Sequence, residues 1–350
     1  MTGDQSQTPQ PPPRRAGIKD VAARAGVSLK TVTNVVHERP YVSAETRARV
    51  KAAIVELNYQ PTLAGRQLQS GRSNMVTLAV PRIDDPYLGA LAHAMIAAAT
   101  ARGYTLLIDE TGGRTERERL AASGYPGHGI DGVIFSAAAL DSEQITQMSQ
   151  ATPIVLLGDP VSNSNAAYVS IDNVASAREV VDHLLAGGRR RIAFLGHQTS
   201  KLTGVAGLRY RGYREQARAA GLQLSDDWAI GVSRFTREEG KTRAGEALAH
   251  LRSADSLICA SDLLAIGAMR AFQEAQVRVP DDIAVVGWDN TVDGAYHTPS
   301  LTSVAPALPR LAEVALDALI SRINGNLATG ETCVVPHQLV PRESSAAPAG

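Results

Sequence analysis

A chain of 350 residues with 44% hydrophobic and 4% aromatic content is long enough for two or three globular domains with aliphatic, alanine-rich cores. Its formal net charge is zero, yet Arg14 to Arg72 carries eleven Lys or Arg against Asp20, Glu38, Glu45 and Glu56, a local +7 that leaves −7 on the rest. No apolar run reaches the length of a membrane span, and the first fifteen residues lack the apolar core of a signal peptide, which argues against membrane-embedded and secreted classes.

A small basic head on a mildly acidic body points to a polyanionic partner at one end, most simply nucleic acid; charge alone leaves an anionic membrane surface open. Cys259 and Cys333 make neither a metal-ligand pattern nor a disulfide framework, so a reducing cytoplasm fits, and both read as small buried hydrophobes. The eight histidines are scattered without metal spacing, so neither metal nor cofactor is expected.

In chain order, Met1 to Arg15 reads as a disordered tail. Ile18, Val21, Ala22 and Ala25 then recur at helical spacing, and Gly26 supplies a sharp turn whose corner Val27 can plug. Ser28 is a good N-cap for a second helix from Leu29 to Val36, with Val32, Val35 and Val36 facing inward and Leu29, Lys30, Thr33 and Asn34 facing out. Ser43 announces a third helix that carries Val50, Ala53, Ile54 and Leu57 on one side, with Arg47, Arg49 and Lys51 around it. Three short helices around one small core make a helix-turn-helix, whose second helix enters the major groove. The plainer alternative is a helical hairpin with a solvated basic surface.

From Met75 onward, the short runs "VTLAV", "YTLLI", "GVIFS", "PIVLL", "RIAFLG", "SLICA" and "IAVVGWD" alternate with helical patterns. Such apolar runs imply buried parallel strands with helices on both faces, and two sets of units imply two lobes with a cleft at the strand ends. "DETGGRTERERL" places two glycines after a strand but lacks phosphate-loop spacing, and the Arg run in "GGRRRI" reads as solvated surface. No nucleophile elbow marks a Ser-His-Asp set.

The stretches "IKDVAARAGVSLKTVTNVVH" and "VSAETRARVKAAIVELNYQPTLAGRQL" closely resemble the lactose/galactose repressor family of bacterial transcription regulators. In the body, "YVSIDNVASAREVVDHLLAGGRRRIAFLG", "GLRYRGYREQA", "ICASDLLAIGAMRA", "VPDDIAVVGWDN" and "PSLTSV" resemble the same family's effector-binding core. The resemblance spans about Ile18 to Arg342. It implies an N-terminal all-α helix-turn-helix head plus an α/β two-lobed, periplasmic-binding-protein-like core. The expected organisation is a tail at 1–15, the head at 16–60, a hinge at 61–74, the effector-binding and dimerisation core at 75–342 and a disordered tail at 343–350.

By that resemblance the DNA-binding residues are Ser28, Leu29, Lys30, Thr31, Thr33, Asn34, Tyr59, Arg66 and Leu68, with Leu63 to Gln69 as a hinge helix and Leu68 its minor-groove wedge. A seven-residue helix does not nucleate alone in water, so its order must come from contact. Thr33-Asn34 replaces the family's common Ser-Arg pair. Arg favours guanine and Asn pairs bidentately with adenine, so the base read should differ. Thr62 and Gly65 also depart from the family's Asn and Ala.

The effector-binding positions carried over are Tyr87, Asp172, Arg209, Phe235, Ser261 and Asp289. An Arg donor, a carboxylate acceptor and an apolar face suit a polyhydroxylated ring. Each has a plainer alternative: Arg209 as a structural ion-pair partner, Phe235 as core, Asp172 and Asp262 as helix N-caps. The expected function is ligand-controlled regulation, most often repression in this family, on a near-palindromic double-stranded operator. The expected partners are a second copy of the chain and a small-molecule effector, a sugar with a purine-like corepressor as the alternative, and no membrane. A solute-binding protein would fit the body alone, and an enzyme would need a catalytic constellation that the sequence lacks.

Overall fold

The computed structural model describes residues 16–36, 38–59, 71–140, 142–148, 153–158, 166–197, 204–326 and 332–347. It separates into two units, Met1–Ser73 and Asn74–Gly350. The tail expected at 1–15 and the hinge segment Leu63 to Gln69, with Arg66 and Leu68, lie outside the described residues.

The first unit holds α1 (Ile18–Ala25), α2 (Leu29–Val36) and α3 (Ala44–Glu56). Val21, Val32, Val35, Val50 and Ala53, spaced one helical turn apart within their helices, close a core from which solvent is almost excluded. Gly26 ends α1 at φ 65°, a left-handed turn that glycine adopts without a Cβ clash. The Ser43 hydroxyl caps α3 by accepting from the Thr46 N–H at 3.3 Å, and Arg24 pairs with Glu56 across α1 and α3 at 2.7 Å.

The second unit is two six-stranded sheets. Lobe one is ordered β11-β5-β4-β3-β1-β2, from β1 (Met75–Val80), β2 (Thr105–Glu110), β3 (Gly132–Phe135), β4 (Ile154–Leu157), β5 (Ala167–Ile171) and β11 (Thr332–Val335). Lobe two is ordered β12-β10-β9-β8-β6-β7, from β6 (Ile192–His197), β7 (Ala229–Gly231), β8 (Ser256–Cys259), β9 (Ala284–Trp288), β10 (Thr302–Pro306) and β12 (His337–Val340). Every pairing is parallel except β10 with β12. The central strands β3, β8 and β9 are buried along their whole length, which is why they read as unbroken apolar runs.

The chain crosses between the lobes three times: after β5 at Asp172, between β10 and the helix Leu308–Ile323, and between β11 and β12 at Pro336. The second and third crossings touch, the Ala307 N–H donating to the Pro336 carbonyl at 3.1 Å. In lobe two, the helices Asn173–Ala186 and Val205–Ala219 pack closely at Gly212, where an added Cβ would run into the Val174 carbonyl. That close approach sets Arg209, one turn earlier, against the start of the first helix.

Two expectations are corrected. The first residues of the expected disordered tail at 343–350 are ordered: Glu343–Ser345 form a 3-10 turn, and the Ser344 hydroxyl donates to Val285 O at 2.6 Å while accepting from the Thr302 N–H at 2.8 Å. Small hydroxyl residues pass for linker in a sequence, yet here one satisfies backbone groups of the interior strands β9 and β10. The "GGRRRI" run is also not wholly solvated, because Arg189 is buried and its guanidinium donates to Pro280 O at 2.6 Å and Asp255 O at 3.3 Å.

"DETGGRTERERL" positions a buried carboxylate. Gly112 and Gly113 turn at φ 66° and 62°, and Glu118 is fully buried, accepting from the backbone N–H groups of Ala138, Ala139 and Leu140 at 2.9 Å each.

Candidate DNA-reading and effector sites

In the head, α2 offers a short polar surface. Its inner positions Val32 and Val35 are buried, whereas Leu29 and Lys30 are exposed and Thr33 and Asn34 half-exposed. Ser28 begins the helix: its hydroxyl lies 2.9 Å from that of Thr31 and accepts from the Thr31 N–H at 3.2 Å. Leu29 leaves 43% of its surface in water, although nothing in the head's core requires a large apolar side chain there. Tyr59, just beyond α3, packs against the head's core, and burial raises its phenol above the usual range.

Tyr41 was not singled out by sequence. It lies in the connection between α2 and α3, is 71% exposed, and its hydroxyl donates to Asn34 Oδ1 at 3.3 Å. An exposed tyrosine next to Ser43 looks like ordinary loop chemistry in a sequence, and only the fold places it beside α2.

In the body, the candidates gather at the carboxyl ends of the strands, as parallel sheets dictate. Asp289 follows β9 directly and holds φ 101°, with Asn290 next to it at φ 50°. Such backbone is costly for residues other than glycine and persists only where its surroundings enforce it. Fully buried Asp262 does so: it accepts from the Thr291 N–H and hydroxyl at 2.6 and 3.0 Å and from the Ser303 hydroxyl at 2.6 Å. Ser303 in turn accepts from the Asn290 N–H at 2.9 Å, and Arg342 donates to Asn290 Oδ1 at 2.6 Å.

Arg209 is buried and held from two sides. Its Nε donates to Asn173 Oδ1 at 3.0 Å, its Nη1 donates to Ala260 O at 2.5 Å, and its guanidinium carbon lies 5.1 Å from the ring centre of fully buried Trp288. Its Nη2 stands 3.9 Å from Asp289 Oδ1. Burial raises the Asp289 carboxyl to about 7, Arg209 pulls it down, and the nearby Asp262 and Asp85 push it up. Asp262 is raised in the same direction, chiefly by burial. Tyr87, from lobe one, has its phenol raised by burial and then by the negative field of Asp289.

Tyr87, Arg209, Asn173, Ser170, Gly158 and Pro306 are among the residues around a cavity of about 50 Å³ between the lobes. That holds a water or two and is far below the roughly 300 Å³ at which small-molecule sites begin. The structure therefore brings Tyr87, Arg209 and Asp289 together. Asp172, next to Arg209's partner Asn173, caps the helix Asn173–Ala186, accepting from Val174 and Ala175 N–H at 3.0 and 2.8 Å, and is exposed. Ser261, not Asp262, caps the helix Asp262–Glu274, accepting from the Leu264 N–H at 3.3 Å. Phe235 is partly buried against the body's core. Sequence reasoning missed Asn173 and Trp288 as partners of Arg209, although both stand inside the quoted motifs "SIDN" and "VVGWDN".

Among the described residues no helix is long and apolar enough to cross a membrane, and no group of three His, Cys, Asp or Glu is set to hold a metal.

Residues 17–62 match the family described as bacterial regulatory proteins, lacI family, and residues 181–345 match the periplasmic binding protein-like domain. Over 334 residues, covering 95% of this chain and 97% of the other, the sequence is 30% identical to the HTH-type transcriptional repressor PurR of Erwinia tasmaniensis. The crystal structure of the Lac repressor dimer bound to operator and the anti-inducer ONPF superposes with a TM-score of 0.83 at 27% identity, covering 95% of this chain and 100% of that one. The complex of the transcriptional regulator CelR with cellobiose superposes with a TM-score of 0.70 at 28% identity, covering 94% and 100%.

Proposed function

Because the chain belongs to the lacI family of bacterial regulatory proteins, we propose that it is a repressor of transcription that binds a near-palindromic operator as a homodimer and changes its affinity when a small molecule enters the body. The carrying observation is that one chain joins a helix-turn-helix with an exposed polar α2 to a two-lobed core whose cleft holds Arg209 beside Asp289. Its role is binding, not catalysis, in the compartment that holds the DNA, the bacterial cytoplasm.

In this reading Leu29, Lys30, Thr33 and Asn34 face the major groove, while Ser28, Thr31 and Tyr59 hold phosphates and the position of α2. Arg66 and Leu68 act in the hinge between residues 61 and 74. A single α2 reads too few bases for a unique site, so two copies on a two-fold axis read two half-sites.

The effector is a polyhydroxylated ring, a sugar. Arg209 offers fixed donors, Asp289 accepts from hydroxyls, and Tyr87 supplies a ring face with a hydroxyl. The narrow cavity supports a mechanism in which the lobes part to admit the ring and settle at a new angle around it. The effector acts through its different affinity for the two arrangements.

The test is selection of genomic fragments with purified full-length protein at fixed salt, followed by titration of the recovered site against a panel of sugars and purines. Recovery of a near-palindrome whose affinity one sugar changes supports the reading. A response to a purine alone replaces the sugar assignment, and recovery of no sequence refutes the regulator.

A further inference from the structure

Tyr41 and Asn34 come from different parts of the head. Asn34 lies on α2, whose buried side is fixed by Val32 and Val35, and Tyr41 lies in the connection that leads to the Ser43 cap of α3. Arg39, two residues before Tyr41, is pinned: its N–H donates to the Asn34 carbonyl at 2.9 Å, and Arg47 Nη2 returns from α3 to donate to its carbonyl at 2.6 Å. Tyr41 therefore reaches the α2 surface from a braced turn. Its hydroxyl donates to Asn34 Oδ1 at 3.3 Å while 71% of its surface stays in water.

An Asn side chain on an exposed helix face rotates freely about χ1 and χ2 and can present either its carbonyl or its amino group to a base edge. Reading adenine requires both groups in one plane, the carbonyl accepting from N6 and the amino group donating to N7. A phenol that can donate to the carbonyl favours one orientation, leaves the second lone pair and both N–H groups usable, and removes rotamer freedom before contact. A tyrosine also keeps its bulk in place with only two side-chain torsions, so the brace itself is stiff.

We propose that Tyr41 is a positioning residue for base recognition: by holding the Asn34 carboxamide in one orientation, it sharpens the operator's preference at the base pair that Asn34 reads. The inference rests on the DNA-binding role proposed above. Phosphate contacts set how tightly the head holds any duplex, whereas the Tyr41–Asn34 pair sets how strongly one position discriminates.

The experiment is selection from a randomised duplex library with the full-length wild type, Tyr41→Phe, Asn34→Ala and the double variant at one salt concentration, followed by titration of single-base variants of the recovered site. Tyr41→Phe keeps the ring and removes only the hydroxyl. Loss of one hydrogen bond of ordinary strength predicts a fall of about three- to tenfold in discrimination at one symmetry-related pair of positions, with non-specific affinity unchanged. Asn34→Ala loses the preference at that same pair, and the double variant is no broader than Asn34→Ala. Unchanged preferences in Tyr41→Phe overturn the proposal, as does equal weakening at every position or broadening at a pair different from that of Asn34→Ala. Failure of the wild type to recover any sequence instead strikes the DNA-binding reading itself, so the two failures are distinct.

Discussion

Arg209 and Asp289 face each other at 3.9 Å, too far for a hydrogen bond, while the guanidinium is held at 3.0 and 2.5 Å by Asn173 and the Ala260 carbonyl. The arginine is thus aimed by other groups and does not collapse onto the carboxylate. In the proposed site, a ligand hydroxyl that bridged the pair would make two charge-assisted hydrogen bonds without first breaking one between them.

Replacing Asp289 by Ala should therefore abolish the effector response and leave operator affinity within about twofold of the wild type. Loss of a hydrogen bond to a charged group corresponds to an affinity decrease of about 10- to 100-fold for the effector. Calorimetric titration of effector and operator separately checks both halves; a retained effector response sinks the assignment of the site.

Acid should weaken the response. The Asp289 carboxyl is raised to about 7, so it loses its negative charge as pH falls from 8 towards 6 and can no longer accept from two hydroxyls. Stability changes in the opposite sense. A carboxyl raised in the folded state contributes stability fully below its unfolded value of 3.8, and this is lost as pH rises through 7. Asp289→Asn should flatten both dependences, read by effector titration and by thermal melting between pH 5 and 8. A wild-type response that stays level over that range contradicts the charge assignment.

Glu118→Ala should destabilise lobe one by about 3 kcal/mol or more, because it leaves the N–H groups of Ala138, Ala139 and Leu140 without their acceptor. Urea unfolding followed by circular dichroism measures it. A loss under 1 kcal/mol means that the loop finds another acceptor.

Lys30→Ala should weaken specific operator binding and alter the base preference where α2 meets the major groove, with affinity for random duplexes and the salt slope little changed. Equal weakening on specific and random duplexes, with the slope of log affinity against log salt reduced by about 0.9, assigns Lys30 to a phosphate instead.

The head was legible in the sequence down to its caps, because Val21, Val32, Val35 and Val50 carry a helical period and Gly26 and Ser43 perform local, side-chain-specific tasks. Of the strands, β1 to β4, β6, β8 and β9 were legible as short apolar runs, whereas β5, β7, β10, β11 and β12 were not among the runs read as strands. What escaped were pairings between distant segments. Glu118 looks solvated among the charges of "TERERL", and its burial depends on a loop twenty residues away. Ser344 looks like linker, and its role depends on β9 and β10. The resemblance put Arg209 and Asp289 ahead of Tyr87, Asp172 and Ser261, and it could not show that the last two cap helices, since a helix cap and a ligand contact occupy the same place at a strand's carboxyl end.

The three passages of the chain between the lobes, at Asp172, after Pro306 and at Pro336, have a mechanical consequence. A body joined at one point can swivel freely, whereas one joined at three resists sliding and torsion and retains mainly the freedom to flex about the seam they form. Whatever enters the cleft is then converted into essentially one number, the opening angle of a book, so ligands of different chemistry can be read through the same single coordinate.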